Sequence, residues 1–379
     1  MSLPASIIYH SVIEGLIVMK ENKRIEIFDG MRGLAAVVVL IYHVLNWSPV
    51  GYAAGKFEFI NEGWRWFTQS PLKIVWAGNE AVIVFYLIAG FVIAKPYIDG
   101  RSIRFGEFVE KRFTRLVLPY WVILLVTFGL IILFGEMKET VRLSGSFNVK
   151  WAAVPEVGRQ LLMMHHDLDT SGGAFWSIVL EWWIALFMPF IGVALRKFPT
   201  GDVVAASLAV AWVFMNFSGT VGRVAFYFIF FLVGAVLAKH LDEVRAFYRK
   251  RKWLLASALI LVPFQWIVGP ALERRMALLF TCAGLVLVLV GIIESPFWTR
   301  IFKSPFLLFL GRISFSLYLT HTTAIVLFVT VLGQAMDPRV ALALSPAFAI
   351  GVAVVWYRYV EQGILKNISL RNVEVRTQK

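Results

Sequence analysis

Ten apolar runs, each close to the length needed to cross a bilayer, divide this chain. They lie near 33–50, 79–98, 116–135, 174–195, 203–218, 222–239, 253–270, 276–293, 306–332 and 340–361. A helix of about 20 residues rises about 30 Å, the thickness of the hydrocarbon core. The runs therefore predict an all-α, polytopic integral membrane protein with about ten transmembrane helices. Composition agrees, since 59% of the residues are hydrophobic and only 16% charged. A soluble chain of this size carries about 25% charged residues.

The Lys and Arg residues set the orientation. They concentrate in alternate segments, notably Lys95 to Arg115 and Lys239 to Lys252. Such segments face the cytoplasm, which places both termini there. The net charge of +13 is spread between apolar runs, a pattern that suits anionic lipid rather than nucleic acid. Residues 1–24 read as an amphipathic arm lying on the membrane, with Ile7, Ile8, Val12 and Ile13 interrupted by His10 and Glu14. Residues 25–365 form one membrane domain, and 366–379 a basic cytoplasmic tail. The longest polar stretch, 136–173, falls on the outer side and is too small for a separate catalytic domain. Any chemistry must then occur in or at the bilayer. The single cysteine, Cys282, rules out a disulfide within the chain and a cysteine-based metal site; it reads as a small buried hydrophobe.

Polar residues within these runs carry the functional argument, because ionisable groups in a membrane are costly. Arg32 opens the first run, and His43 follows with ten residues between. Eleven helical steps span about 16 Å, which sets the imidazole near mid-membrane. Arg112 and Arg115 enter the third helix three residues apart, on one face, with Lys111 beside them. Guanidinium forks so placed suit phosphate groups, although basic anchoring alone also explains them. Glu181 reads as the only acidic residue well within a span, where it needs a partner or a raised pKa. His321 lies in the outer half of the ninth helix, as a packing residue or a functional one. Glu361 ends the tenth helix as an interfacial ion-pair residue. Arg223, Arg274 and Arg275 fall on the outer side, as anchors or as contacts for an acidic group.

The chain has no Gly-rich phosphate loop, no His-Glu-x-x-His and no Gly-x-Ser-x-Gly. These absences disfavour P-loop hydrolysis, a zinc site and a nucleophile elbow. A basic cytoplasmic pocket, a mid-membrane imidazole and outward-facing polar groups suit transfer from a phosphate-bearing donor to an acceptor beyond the membrane. In that chemistry histidine is a general base for an acceptor hydroxyl.

Several segments, in order and spacing, carry a family resemblance. They are Phe28-Asp29-Gly30 with Arg32-x10-His43; Ala89-Gly90-Phe91; Arg112-x-x-Arg115 with Pro119; Trp176-Ser177 with Glu181 and Pro189; Arg223 with Phe231-Leu232-Val233-Gly234; and Ile313-Ser314-Phe315-Ser316-Leu317-Tyr318-Leu319-Thr320-His321. Together they resemble the integral-membrane acyltransferase family 3, whose members O-acylate bacterial surface polysaccharides and related glycans. The resemblance covers about Ile25 to Glu361 and is to the stand-alone type, without an extracytoplasmic hydrolase-like domain. Ala89, Trp182, Ala185 and Gly363 depart from the usual pattern.

The resemblance implies a membrane O-acyltransferase of the bacterial cytoplasmic (inner) membrane. It would move an acyl group, most often acetyl, from acyl-CoA to a saccharide hydroxyl. The acceptor would be an exopolysaccharide, a lipopolysaccharide or a lipid-linked oligosaccharide. No permanently bound cofactor or metal is implied; acyl-CoA is the donor substrate. Arg112, Arg115 and Lys111 would bind the CoA phosphates, and Arg32 the thioester end or the pyrophosphate. His43 would be the base or a transient acyl carrier. Glu181 and His321 would serve the acceptor or orient His43. Two other classes compete with this reading: a transporter or flippase for a glycan or lipid-linked sugar, and a non-catalytic scaffold.

Overall fold

The computed structural model describes residues 26–48, 51, 61–134, 154–164, 174–268 and 273–364. The amphipathic arm, the basic tail and most of the 136–173 stretch lie outside these residues. The described residues form helices and connecting turns, with no strand among them. Helix α1 is Glu26–Asn46, α2 is Glu62–Gln69, and a 3₁₀ turn at Pro71–Trp76 leads to α3, Gly78–Ile98. Helix α4, Phe105–Arg112, passes through a π turn at Phe113–Val117 into α5, Leu118–Phe134. Next come α6 (Val154–Leu161), α7 (Phe175–Lys197), α8 (Thr200–Met215), α9 (Gly219–Lys239) and α10 (Leu241–Lys250). Then follow α11 (Leu254–Leu261), α12 (Phe264–Val268), α13 (Arg274–Glu294), α14 (Pro296–Phe302) and α15 (Pro305–Leu332). Helix α16, Pro338–Trp356, ends in a second π turn, Tyr357–Glu361.

Eight of these units are long and apolar enough to cross a membrane: α1, α3, α4 with α5, α7, α9, α13, α15 and α16. The chain is an all-α polytopic membrane protein. The two remaining predicted runs are helical but shorter. Helix α8 has 16 residues. The run 253–270 is broken between α11 and α12 at Pro263, whose ring blocks the preceding turn. Exposed apolar side chains such as Leu125, Leu133, Trp212 and Tyr359 face outward from the bundle, as a lipid-contacting surface requires.

Local sequence explains several helix starts. Ser295, Ser304 and Asp337 each cap a helix with a side-chain oxygen, and each is followed by proline at the first position. Such a proline lacks an N–H that would be unpaired there anyway.

Two close helix crossings organise the centre. Helix α1 runs parallel to α15: a Cβ on Gly33 would fall 2.5 Å from the Gly311 nitrogen, and one on Gly311 would fall 2.3 Å from the Asp29 carbonyl oxygen. Helix α3 runs antiparallel to α1, with Phe91 against Phe28 and Gly78 against the Tyr42 ring. It meets α9 in the same intimate way, since a Cβ on Gly90 or Gly234 would lie 2.1 Å from the Phe231 or Leu87 carbonyl oxygen. In lipid, where apolar burial against a neighbour gains little, close backbone approach at small residues holds helices together. Helix α7 packs on α3 and runs parallel to it. Helices α1, α3, α7 and α15 thereby enclose the polar residues of the next section.

Candidate active site

The bundle's Lys- and Arg-rich end carries Arg32, Lys111, Arg112 and Arg115. Arg112 donates to Glu181 Oε1 at 2.7 Å, and each side chain keeps 23% exposure. Arg115 and Arg32 lie within electrostatic reach of the Arg112 guanidinium, so the three arginines share one locality. The π turn follows Arg112 directly. Its wider winding separates the two arginines: Arg115 is exposed, whereas Arg112 turns inward. Lys111 is exposed and pairs with Glu107 at 3.9 Å.

One turn from Glu181 along α7 stands Ser177, on the same helix face. Its hydroxyl lies 2.6 Å from the Tyr318 hydroxyl, and its own carbonyl accepts a hydrogen bond from Tyr86 at 3.0 Å. Both tyrosines feel the Glu181 charge. One turn beyond Tyr318 on α15 is His321, and its Nε2 lies 3.2 Å from Nδ1 of His43. Both rings are buried.

The partners of these rings fix their protons. His321 Nδ1 faces the carbonyl oxygens of Tyr318 at 2.8 Å and Leu317 at 3.0 Å. Carbonyl oxygens only accept, so neutral His321 carries its proton on Nδ1 and a lone pair on Nε2. That lone pair and the Val39 carbonyl, 2.9 Å away, both face His43 Nδ1. Nδ1 of His43 is therefore the protonated nitrogen, and the basic lone pair sits on Nε2. The reverse arrangement needs a doubly protonated imidazole in an apolar interior, which is costly. Together these residues trace a polar line from the basic end of the bundle to His43: Arg112 and Glu181, then Ser177 with Tyr318, then His321 with His43. Such a line can orient a base and stabilise charge within an apolar surround.

Residues 25–358 match a family described as an acyltransferase domain. The chain belongs to the acyltransferase 3 family. No curated protein and no solved structure matches it. This acyltransferase is thus a membrane enzyme that transfers acyl groups.

The structure brings His43 and His321 into contact, and it joins Arg112 to Glu181 while keeping Arg32 and Arg115 near by. Lys111 stands apart from the buried residues. Glu361 accepts a hydrogen bond from Ser316 Oγ at 2.7 Å. Sequence reasoning passed over Tyr86, Tyr318 and Ser177 as members of the network. The signal was present, since Ser177 lies four residues before Glu181 and Tyr318 three before His321. It also passed over Glu80, two residues into α3, which is buried and accepts a hydrogen bond from Trp266 Nε1 at 2.9 Å. Among the described residues no group of three or more His, Cys, Asp or Glu is arranged to hold a metal ion.

Proposed function

We propose that this acyltransferase takes an acyl group, most often acetyl, from acyl-CoA on the cytoplasmic side of a bacterial inner membrane. It transfers the group to a hydroxyl of a surface or lipid-linked saccharide. The observation that carries the reading is the His321–His43 contact, which leaves a buried imidazole with its lone pair on Nε2. In the transfer, that lone pair takes the hydroxyl proton as the oxygen attacks the thioester carbonyl. The carbon–sulfur bond breaks, an ester forms, and the proton passes to the departing CoA thiolate. The same nitrogen, if it attacks the thioester first, carries the acyl group briefly as an acyl-imidazole.

Arg112, Arg115 and Arg32 supply the positive field for the CoA phosphates. Arg112 is the inner member and exchanges its bond to Glu181 for phosphate oxygen when CoA enters. His321 serves as a positioning residue, holding His43 in the productive tautomer as a carboxylate does in hydrolytic triads.

The test is acyl transfer from radiolabelled acetyl-CoA to an acceptor glycan by purified protein in lipid nanodiscs, with CoA release followed in parallel. Wild type is expected to release CoA and label the glycan, and His43→Ala to do neither. Equal transfer by both proteins, or no CoA release by wild type with any acceptor, would overturn the proposal.

A further inference from the structure

At the end of the bundle opposite Arg32, four cations gather where few belong. Lys73, Arg223, Arg274 and Arg275 all fall on the side that the positive-inside pattern leaves poor in basic residues. Cations there hinder insertion little if few, yet these four cluster rather than scatter. Arg223, Arg274 and Arg275 all act electrostatically on Tyr227. Lys73 and Arg274 both act on Glu80.

The cluster is built into an aromatic frame. The Lys73 ammonium lies 5.3 Å from the Trp76 ring centre and 5.4 Å from that of Trp266. Burial beside these rings pushes Lys73 below the ordinary lysine range, with the Glu80 charge opposing. Trp266 is held by Glu80, while Trp76 is buried and its indole N–H has no hydrogen-bond partner among the described residues. Arg274 is exposed and reaches Asn79 Oδ1 at only 3.3 Å, a weak bond that leaves most of its fork available. The frame adjoins the proposed base: Tyr42 feels both Arg274 and Glu80, and its ring lies 5.2 Å from that of His43.

A guanidinium fork matches a carboxylate or phosphate bidentately, and an ammonium beside it adds a second positive charge. We propose that Arg274 and Lys73, held in place by the buried Glu80, Trp76 and Trp266, are the anion-contacting part of an acceptor subsite beside His43 for an anionic saccharide, its charge a carboxylate or a phosphate. The proposal rests on the saccharide acylation described above and narrows its acceptor.

Binding tests it without turnover. The protein in nanodiscs is titrated with galacturonate oligomers, with their methyl esters and with a glycosyl monophosphate. The methyl ester keeps the sugar and removes only the charge. The acid is expected to bind at least about tenfold more tightly than its ester, in a salt-sensitive manner. Arg274→Gln should erase that difference, and so should Lys73→Gln. Tight binding of the phosphate alone assigns the anion as phosphate and also supports the subsite. Equal binding of acid and ester by wild type, with the phosphate bound no more tightly, overturns it, as does an anion preference that Arg274→Gln leaves unchanged. Arg274 is exposed, so this variant tests the idea even if Lys73→Gln fails to fold. Anion-dependent binding without acyl transfer would support the subsite while removing the acylation; CoA release with no anion preference would do the reverse.

Discussion

Nε2 of His321 faces Nδ1 of His43 at 3.2 Å, across 278 residues of sequence. His321 is anchored by two carbonyls of its own helix, so it presents an acceptor and not a donor to its neighbour. The pair is directional, and the direction decides which nitrogen of His43 is basic.

Replacing His321 should therefore harm the chemical step more than donor binding. His321→Ala is expected to lower kcat by about 10²-fold or more, with KM for acyl-CoA nearly unchanged, because a misoriented base loses most of its 10²–10⁴-fold effect. His321→Gln, which offers a side-chain oxygen as acceptor, should restore part of the rate. Steady-state kinetics decides this, and a rise in KM without loss of kcat would count against it.

The Arg112–Glu181 pair should be more costly to break than to delete. Glu181→Gln leaves a largely enclosed guanidinium without its counter-charge and is expected to cost about 2 kcal/mol, below the 3–5 kcal/mol of fully buried pairs because both groups keep some solvent. The double variant with Arg112→Gln should melt higher than Glu181→Gln alone. Thermal unfolding of the three variants in one detergent measures the difference.

Gly311→Ala places a methyl where the Asp29 carbonyl oxygen would lie 2.3 Å away, so α1 and α15 must separate. Activity should fall sharply and the melting temperature drop. Gly351→Ala meets nothing within 4 Å and is the control. It should be neutral or stabilise by up to about 1 kcal/mol, since alanine favours helix.

Orientation is checked by labelling. With Cys282→Ala as background, a cysteine from Lys252→Cys should react with a membrane-impermeant thiol reagent only in inverted vesicles. One from Arg275→Cys should react only from the outside of intact cells. The opposite pattern would reverse the topology.

Helix positions were legible because hydropathy is a local property. Nine of the ten predicted runs coincide with one continuous helical path, and the tenth is interrupted by Pro263, itself visible in the chain. The π turn after Arg112 was not legible. Nothing in Phe113-Thr114-Arg115-Leu116-Val117 announces it, and an ideal α-helix would keep Arg112 and Arg115 on one face. Partnerships were harder still. Arg112 with Glu181, and His43 with His321, join helices far apart in sequence; the first pair was not named from sequence, and the second stood only as one alternative that the family resemblance implied. Sequence reasoning left Glu181 as an ion-pair partner or as a group serving the acceptor or His43; its carboxylate turns toward Arg112. Glu80 escaped notice because it stands at a helix start, where an acid is ordinary. Its enclosure depends on Trp266, which arrives on a separate short helix.

The glycine contacts between α1 and α15 have a consequence for the enzyme's setting. The register of α1 against α15, the helices that carry the two imidazoles, is set about ten residues away, where backbone meets backbone. A bilayer of different thickness would tilt the two helices as one body. Catalytic geometry should then be indifferent to lipid chain length, leaving only access to the two faces of the bundle sensitive to it.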